Sequence, residues 1–132
     1  MLLSIVWSNN WLKTMKSDTS DRPTKGQLQR TLSQQLQKLY REELNLITGK
    51  TTCQLLDNKL TIVIEDSLTQ PEQILLRKSS VDLVEKIRVE LSSEIKPKIV
   101  GLIEEILHQE VVDILSDTTL ETGRTGMVVV LS

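Results

Sequence analysis

The residues best suited to bind a small ion lie in Ser116–Gly126, a polar segment between two strongly apolar stretches. Arg124 offers planar paired donors that match a carboxylate, a phosphate or a bicarbonate-like anion, and Gly123 lets the backbone come close to such a group. Asp117 and Glu121 could instead hold Arg124 in an internal salt bridge, which is the role that we expect. A hairpin loop usually takes about two to five residues, and this segment supplies about eight to ten. The excess length makes it the leading candidate site.

A second polar cluster lies where a strand pattern runs into a short helix pattern, and it consists of Glu65, Asp66 and Gln70. Adjacent carboxylates in a regular strand point to opposite sides, so they make a poor chelating pair. We therefore expect this cluster to end the strand and cap the helix.

Standard catalytic and nucleotide-binding motifs are missing from the sequence. It contains no Walker A motif, no dinucleotide-binding glycine motif, no HExxH, no paired CxxC and no GxSxG. One cysteine, Cys53, cannot form an internal disulfide or a cysteine cluster for zinc. No nucleophile lies at a motif spacing from the single histidine, His108, which we expect to cap a helix. The sequence thus predicts a protein that is not an enzyme, with no catalytic residues, metal or cofactor.

Composition fits one domain and argues against nucleic acid as a partner. The chain has 132 residues and a net charge of −2, which is not the electrostatic signature of a nucleic-acid binder. It has two Trp, one Tyr and no Phe, too few rings for a stacking platform. A group of basic residues keeps an RNA-binding module open as a third alternative: Lys25, Arg30, Lys38 and Arg41.

The chain divides into an extension over residues 1–23, which we expect to be flexible, and a single domain over 24–132. The apolar run at the start is too short for a signal sequence or a membrane span. It could serve as a weak interfacial anchor, but an unstructured extension is the simpler interpretation. The lone thiol and the lack of a transmembrane segment predict a cytoplasmic protein, with peripheral membrane contact left open.

Periodicity predicts three helices. Apolar residues at spacings of three and four indicate a helix over 24–46, and Pro71 suits the first turn of a short helix over 70–77. A long helix follows, and its apolar stripe stays in phase across Pro97, so we expect a kink rather than two helices. Its many charged residues, Arg88 among them, predict a solvated face.

Four strands complete the pattern. Asp57 and Asn58 suit a two-residue hairpin turn that sets Cys53 opposite Ile62 on a buried face, where the thiol is expected to be inert. Strands over about 110–116 and 125–131 are apolar on both sides.

The order α-β-β-α-α-β-β predicts an α+β fold, a four-stranded, mainly antiparallel sheet with helices on one face. The other, partly apolar face is then free for a partner. A homodimer is the simplest choice, and a larger membrane complex is the alternative.

Three stretches resemble a known family: PTKGQLQRTLSQQLQKLYRE, TCQLLDNKLTIVIEDSLTQPEQ and EVVDILSDTTLETGRTGMVVVL. They are similar to the MpsC family of small bacterial proteins, and the likeness covers about residues 24–132. The family is named for the third component of a sodium-translocating, membrane-potential-generating system, whose other components are linked to ion movement and inorganic-carbon uptake. The resemblance implies an accessory subunit and transfers no catalytic residues.

Two function hypotheses lead from these observations. The first is a non-enzymatic accessory or regulatory protein of a membrane ion or inorganic-carbon transport system, acting through protein–protein contacts with transport subunits. The alternative is a small-anion sensor that uses the 116–126 segment around Arg124.

Overall fold

The structure, a computed structural model, describes residues 22–132. The predicted extension over residues 1–23 therefore lies almost wholly outside the described residues. Within 22–132 the chain forms three helices and four strands, whose bounds are α1 Lys25–Leu44, β1 Thr51–Leu56, β2 Lys59–Ile64, α2 Gln70–Arg77, α3 Val81–Leu107, β3 Val111–Thr119 and β4 Arg124–Leu131. The strands form one antiparallel sheet in the order β1-β2-β4-β3. The predicted α+β fold and its element order are confirmed.

Helix α1 begins as its sequence predicts, because Thr24 and Gln27 satisfy each other's backbone N–H groups in a capping box. The helix ends at Leu44, two residues before the predicted end, where Asn45 adopts a left-handed conformation with φ 51°. Its apolar stripe is buried against the sheet and α3, and Tyr40 at the end of that stripe is only 2% exposed.

The first hairpin also follows the prediction. Asp57 takes a positive φ of 56° in the turn, and the strand register sets Cys53 opposite Ile62. The thiol is buried on the helix-covered face, and burial raises its pKa above the usual value.

Helix α3 runs without a break through Pro97 and ends at Leu107, and His108 follows as the C-cap with φ 54°. Its buried residues recur at helical spacing: Val84, Ile95, Ile99, Ile103 and Ile106. The four isoleucines belong to the same core cluster as the buried residues of the sheet. Among residues 22–132 no helix is both long enough and apolar enough to cross a bilayer.

The second hairpin differs from the prediction, because most of the supposed long loop is strand. β3 extends to Thr119 and β4 begins at Arg124, so only residues 120–123 form the turn, with Gly123 at φ 71°. The ladder continues through the pair Thr118 and Thr125, whose hydroxyls lie 2.7 Å apart. Threonine is β-branched and favours strands, so polarity alone was a misleading loop signal.

The two faces of the sheet differ as predicted. One face packs against the helices and carries the core. The opposite face, here called the outer face, bears Val63, Leu115, Gly126 and Val128 and is not covered by any helix of residues 22–132. Leu115 is 59% exposed there, and Val112, at the bulge of edge strand β3, is 62% exposed.

Candidate functional site

Arg124 forms a salt bridge, but its partner is not one of the two that we predicted. Its Nε donates to both carboxylate oxygens of Glu65, each at 2.9 Å, and neither Asp117 nor Glu121 pairs with it. The reason is the register of β2 and β4, which continues past the pair of Ile64 and Thr125 and brings residue 65 beside residue 124. The two clusters that the sequence suggested separately thus meet at one end of the outer face.

The remaining residues of the predicted loop site do not converge on Arg124. Asp117 lies in β3 opposite Gly126, and its Oδ1 accepts a hydrogen bond from the backbone N–H of Thr118 at 2.9 Å. Glu121 lies exposed in the four-residue turn. The buried Gly123 accepts, through its carbonyl, hydrogen bonds from the backbone N–H and hydroxyl of Ser67. The predicted anion cradle is therefore not formed by these four residues together.

The second predicted cluster also separates into different roles. Glu65 lies on the outer face, whereas Asp66 leaves the strand with φ 51° and approaches Gly49. A Cβ at Gly49 would lie 2.5 Å from Asp66 Oδ2, so this close approach requires glycine or a shift of the carboxylate. Gln70 is the exposed first residue of α2.

A buried ion pair between Glu72 and Arg88 was missed by the sequence reasoning. Arg88 donates from Nε to Glu72 Oε2 at 2.9 Å and from Nη2 to Glu72 Oε1, and it also donates to the carbonyl of Ser67 at 3.1 Å. Thr69 donates its backbone N–H and its hydroxyl to Oε1 at 2.9 and 2.8 Å. Glu72 is fully buried, yet its carboxylate is well satisfied.

The assignment of Arg88 to the solvated face of α3 is therefore wrong. Its side chain is only 12% exposed. The missed signal was spacing, because Arg88 follows the buried Val84 by four residues and precedes the buried Ile95 by seven, which places it on the apolar stripe. A cation on such a stripe requires a buried partner of opposite charge. The Thr-x-x-Glu spacing of Thr69 and Glu72 indicated the start of α2, the helix that supplies this partner.

This ion pair continues into a chain of hydroxyl groups that reaches the β3–β4 hairpin. The Ser67 hydroxyl lies 2.6 Å from that of Thr125, which in turn lies 2.7 Å from that of Thr118. α2, α3 and the hairpin are thus joined by one polar network on the helix-covered side of the sheet.

A cavity of about 440 Å³ adjoins this network, between α3 and the β3–β4 hairpin. Its wall includes Tyr40, Arg88, Ser92, Ser116, Met127 and Ile99. Burial raises the pKa of Tyr40 to about 12, an effect that the nearby positive charge of Arg88 partly opposes. Residues 22–132 contain no group of three or more His, Cys, Asp or Glu side chains placed to hold a metal ion.

Comparison with known proteins gives one clear finding. Neither the curated proteins nor the solved structures contain a significant match to the chain. The family model of MpsC, described as a Na⁺-translocating membrane potential-generating system, matches residues 24–132, which is nearly all of the described chain. The chain therefore belongs to the MpsC family.

Proposed function

We propose that this chain is a non-enzymatic accessory subunit of a Na⁺-translocating membrane-potential-generating system. It acts at the cytoplasmic surface of the membrane by docking on an integral component through the outer face of its sheet. The observation that carries the proposal is the exposed apolar surface on that face, where Leu115 pairs with Val128 and the two are 59% and 37% exposed. The choice of partner system rests on the membership of the chain in the MpsC family.

The outer face has a shape suited to docking. A shallow groove of about 320 Å³ crosses it, and its wall includes Thr61, Val63, Leu115 and Val128. Gly126 lies at this groove, and a Cβ built there would meet no atom within 4 Å. Packing within residues 22–132 therefore gives no reason for glycine at this position. Because glycine has no side chain, Gly126 keeps the groove open for a side chain of the partner.

The charges around the groove favour a membrane component over a second copy of the chain. Asp113 and Asp117 lie on β3 on either side of Leu115. If two copies joined their β3 edges antiparallel about Leu115, Asp113 of each would oppose Asp117 of the other, which is unfavourable. The cytoplasmic loops of integral membrane proteins are rich in Lys and Arg, so they complement this acidic edge. Edge strand β3 can also accept an added strand from such a loop.

Co-sedimentation tests the proposal directly. The full chain is mixed with membrane vesicles from cells that express the integral components of a system of this family, and with vesicles from cells that lack them. We expect the chain to pellet only with the first. Replacing Leu115 by Ser removes an exposed apolar anchor and should weaken binding by about 30-fold or more, as for a central interface residue.

Ile47→Ser is the matched control, because Ile47 is 84% exposed but lies in the connection between α1 and β1. It should pellet as the unchanged chain does. Equal pelleting with both kinds of vesicle would refute the proposal. A dimer in analytical ultracentrifugation that Leu115→Ser dissociates, without vesicle binding, would show that a second copy occupies the face instead.

The anion-sensor hypothesis has its own test. In the structure the carboxylate of Glu65 already occupies the Nε donor of Arg124, so a free anion would have to compete with it. The midpoint of thermal unfolding, measured with and without bicarbonate or phosphate, shows whether such an anion binds at Arg124. A midpoint rise that Arg124→Ala abolishes would support the sensor, and an equal rise in both proteins would place the anion elsewhere.

A further inference from the structure

We propose that the cavity between α3 and the β3–β4 hairpin is a binding site for a small amphiphilic carboxylate. Its volume of about 440 Å³ falls within the range of small-molecule sites, roughly 300 to 1,000 Å³. The cavity lies on the helix-covered side of the sheet, away from the outer face. The inference is therefore independent of the proposed function, and either can fail alone.

The cavity exists because small side chains face one another across it. Ser92 and Ser93 on α3 and Ser116 on β3 all contribute to its wall. Ser92 is partly buried, and Ser93 and Ser116 are exposed, so these short side chains form the rim of the cavity. The result is a cleft that is open to solvent on one side and reaches the core at its base, a shape typical of small-molecule sites.

The apolar part of the wall suits a hydrocarbon body. Ile95, Ile99 and Met127 belong to the buried core and also line the cavity, and the partly buried Ile114 lines it from β3. The apolar body of a ligand would mainly cover the partly buried Ile114 and the exposed Val89, which also lines the cavity, and removing this surface from water favours binding.

The polar part of the wall offers hydrogen-bond donors. Tyr40 is 2% exposed and lines the cavity. Its raised pKa keeps it a neutral donor over the physiological range. Of the five N–H groups of Arg88, those on Nε and Nη2 bind Glu72 and Ser67, and those on Nη1 have no partner within 22–132.

The charge of the head group follows from the charges around the cavity. Glu72 compensates Arg88, and Lys96 adds a further cation to the wall. Asp117 also contributes to the wall, but it pairs with Gly126 in the ladder, so its side chain projects to the outer face. Lys96 is then the one uncompensated charge that the wall presents among the described residues, and it favours a carboxylate over an amine of the same size.

Three probes separate the contributions of head and body. We use octanoate, 1-octanol with the same body and no charge, and acetate with the same head and no body. Octanoate should raise the unfolding midpoint of the full chain in a saturable manner, since it prefers the folded state. Its dissociation constant in calorimetry should be lower than that of 1-octanol, and acetate should give no saturable signal. Equal affinity for octanoate and 1-octanol would overturn the assignment of a carboxylate.

Two variants locate the site. Ser116→Phe places a ring in the cavity and should abolish the octanoate signal, whereas Thr119→Phe adds the same ring to the outer face of β3 and should leave it intact. Tyr40→Phe removes one hydrogen-bond donor and should weaken octanoate binding by about 2- to 10-fold. Octanoate binding that Ser116→Phe leaves unchanged would refute the site. Leu115→Ser should lose vesicle binding yet retain octanoate, which distinguishes the two proposals.

Discussion

Two glutamates that follow strand β2 closely in the chain each pair with an arginine, and the two pairs lie in very different surroundings. Glu65 pairs with Arg124 on the outer face, where the two side chains are 35% and 53% exposed. Glu72 pairs with Arg88 on the helix-covered side, where the values are 0% and 12%. The same two side-chain types therefore form one ion pair that water reaches and one ion pair that is buried.

The comparison shows that burial, not residue type, sets what an ion pair does for the fold. An exposed pair gains little, because water and salt screen it and two long side chains lose freedom. A buried pair is strongly destabilised when one partner is removed, because the other charge remains in a medium of low polarity. We therefore expect the covered side to determine stability and the outer face to be largely free to serve a partner.

The largest predicted effect is at the buried pair. Arg88→Met should reduce the free energy of unfolding by about 3 to 5 kcal/mol, since it leaves the carboxylate of the fully buried Glu72 uncompensated. Urea denaturation followed by circular dichroism measures this loss. The double variant Arg88→Met with Glu72→Gln should recover part of it. A loss below about 1 kcal/mol for the single variant would show that the buried pair does not support the fold.

The next effect is a pH dependence that comes from Tyr40. Burial raises its pKa from 10.0 to about 12, so the fold prefers the neutral phenol. The resulting stabilisation is fully present below pH 10 and is lost as the pH rises through 12, for a total of about 2 to 3 kcal/mol. The variant Tyr40→Phe should not show this part of the loss of stability at alkaline pH.

The ionisation of Tyr40 can be followed directly, because it is the only tyrosine in the sequence. The ultraviolet absorbance of tyrosinate therefore reports this one group, against a background of two tryptophans that do not titrate. A midpoint near pH 10 in the folded protein would contradict the buried environment of the ring.

The exposed pair should give a much smaller effect. Arg124→Ala should lower the free energy of unfolding by at most about 1 kcal/mol, and added salt should reduce the difference further. Urea denaturation at low and high ionic strength provides the comparison. A loss of unfolding free energy that is as large as that of Arg88→Met and does not depend on salt would contradict the difference proposed between the two faces.

The sequence predicted well what local patterns determine. The capping box of Thr24 and Gln27, the turn at Asp57 and the start of α2 all depend on residues within a few positions of one another. The order of the elements follows from those local signals, and with it the fold class.

The pairing of distant residues could not be predicted in the same way. Arg124 and Glu65 are 59 residues apart, and they meet only because β2 pairs with β4 in one particular register. Polar residues 117–119 were taken for loop, although cross-strand partners hold them in β3. Arg88 was misplaced because a charge on the buried stripe of α3 is acceptable only when its partner, from another helix, is known.

The most direct test of the docking face is the variant Gly126→Val. Gly126 lies in β4 without a positive φ, and an added Cβ meets no atom within 4 Å, so valine should leave stability unchanged or raise it by about 0.5 to 1 kcal/mol. Gly101→Ala in α3 is the matched control, because a Cβ there also meets no atom within 4 Å. We predict that Gly126→Val folds at least as stably as the unchanged chain but no longer pellets with vesicles carrying the system's integral components, while Gly101→Ala still does. Full vesicle binding by a folded Gly126→Val would contradict the account.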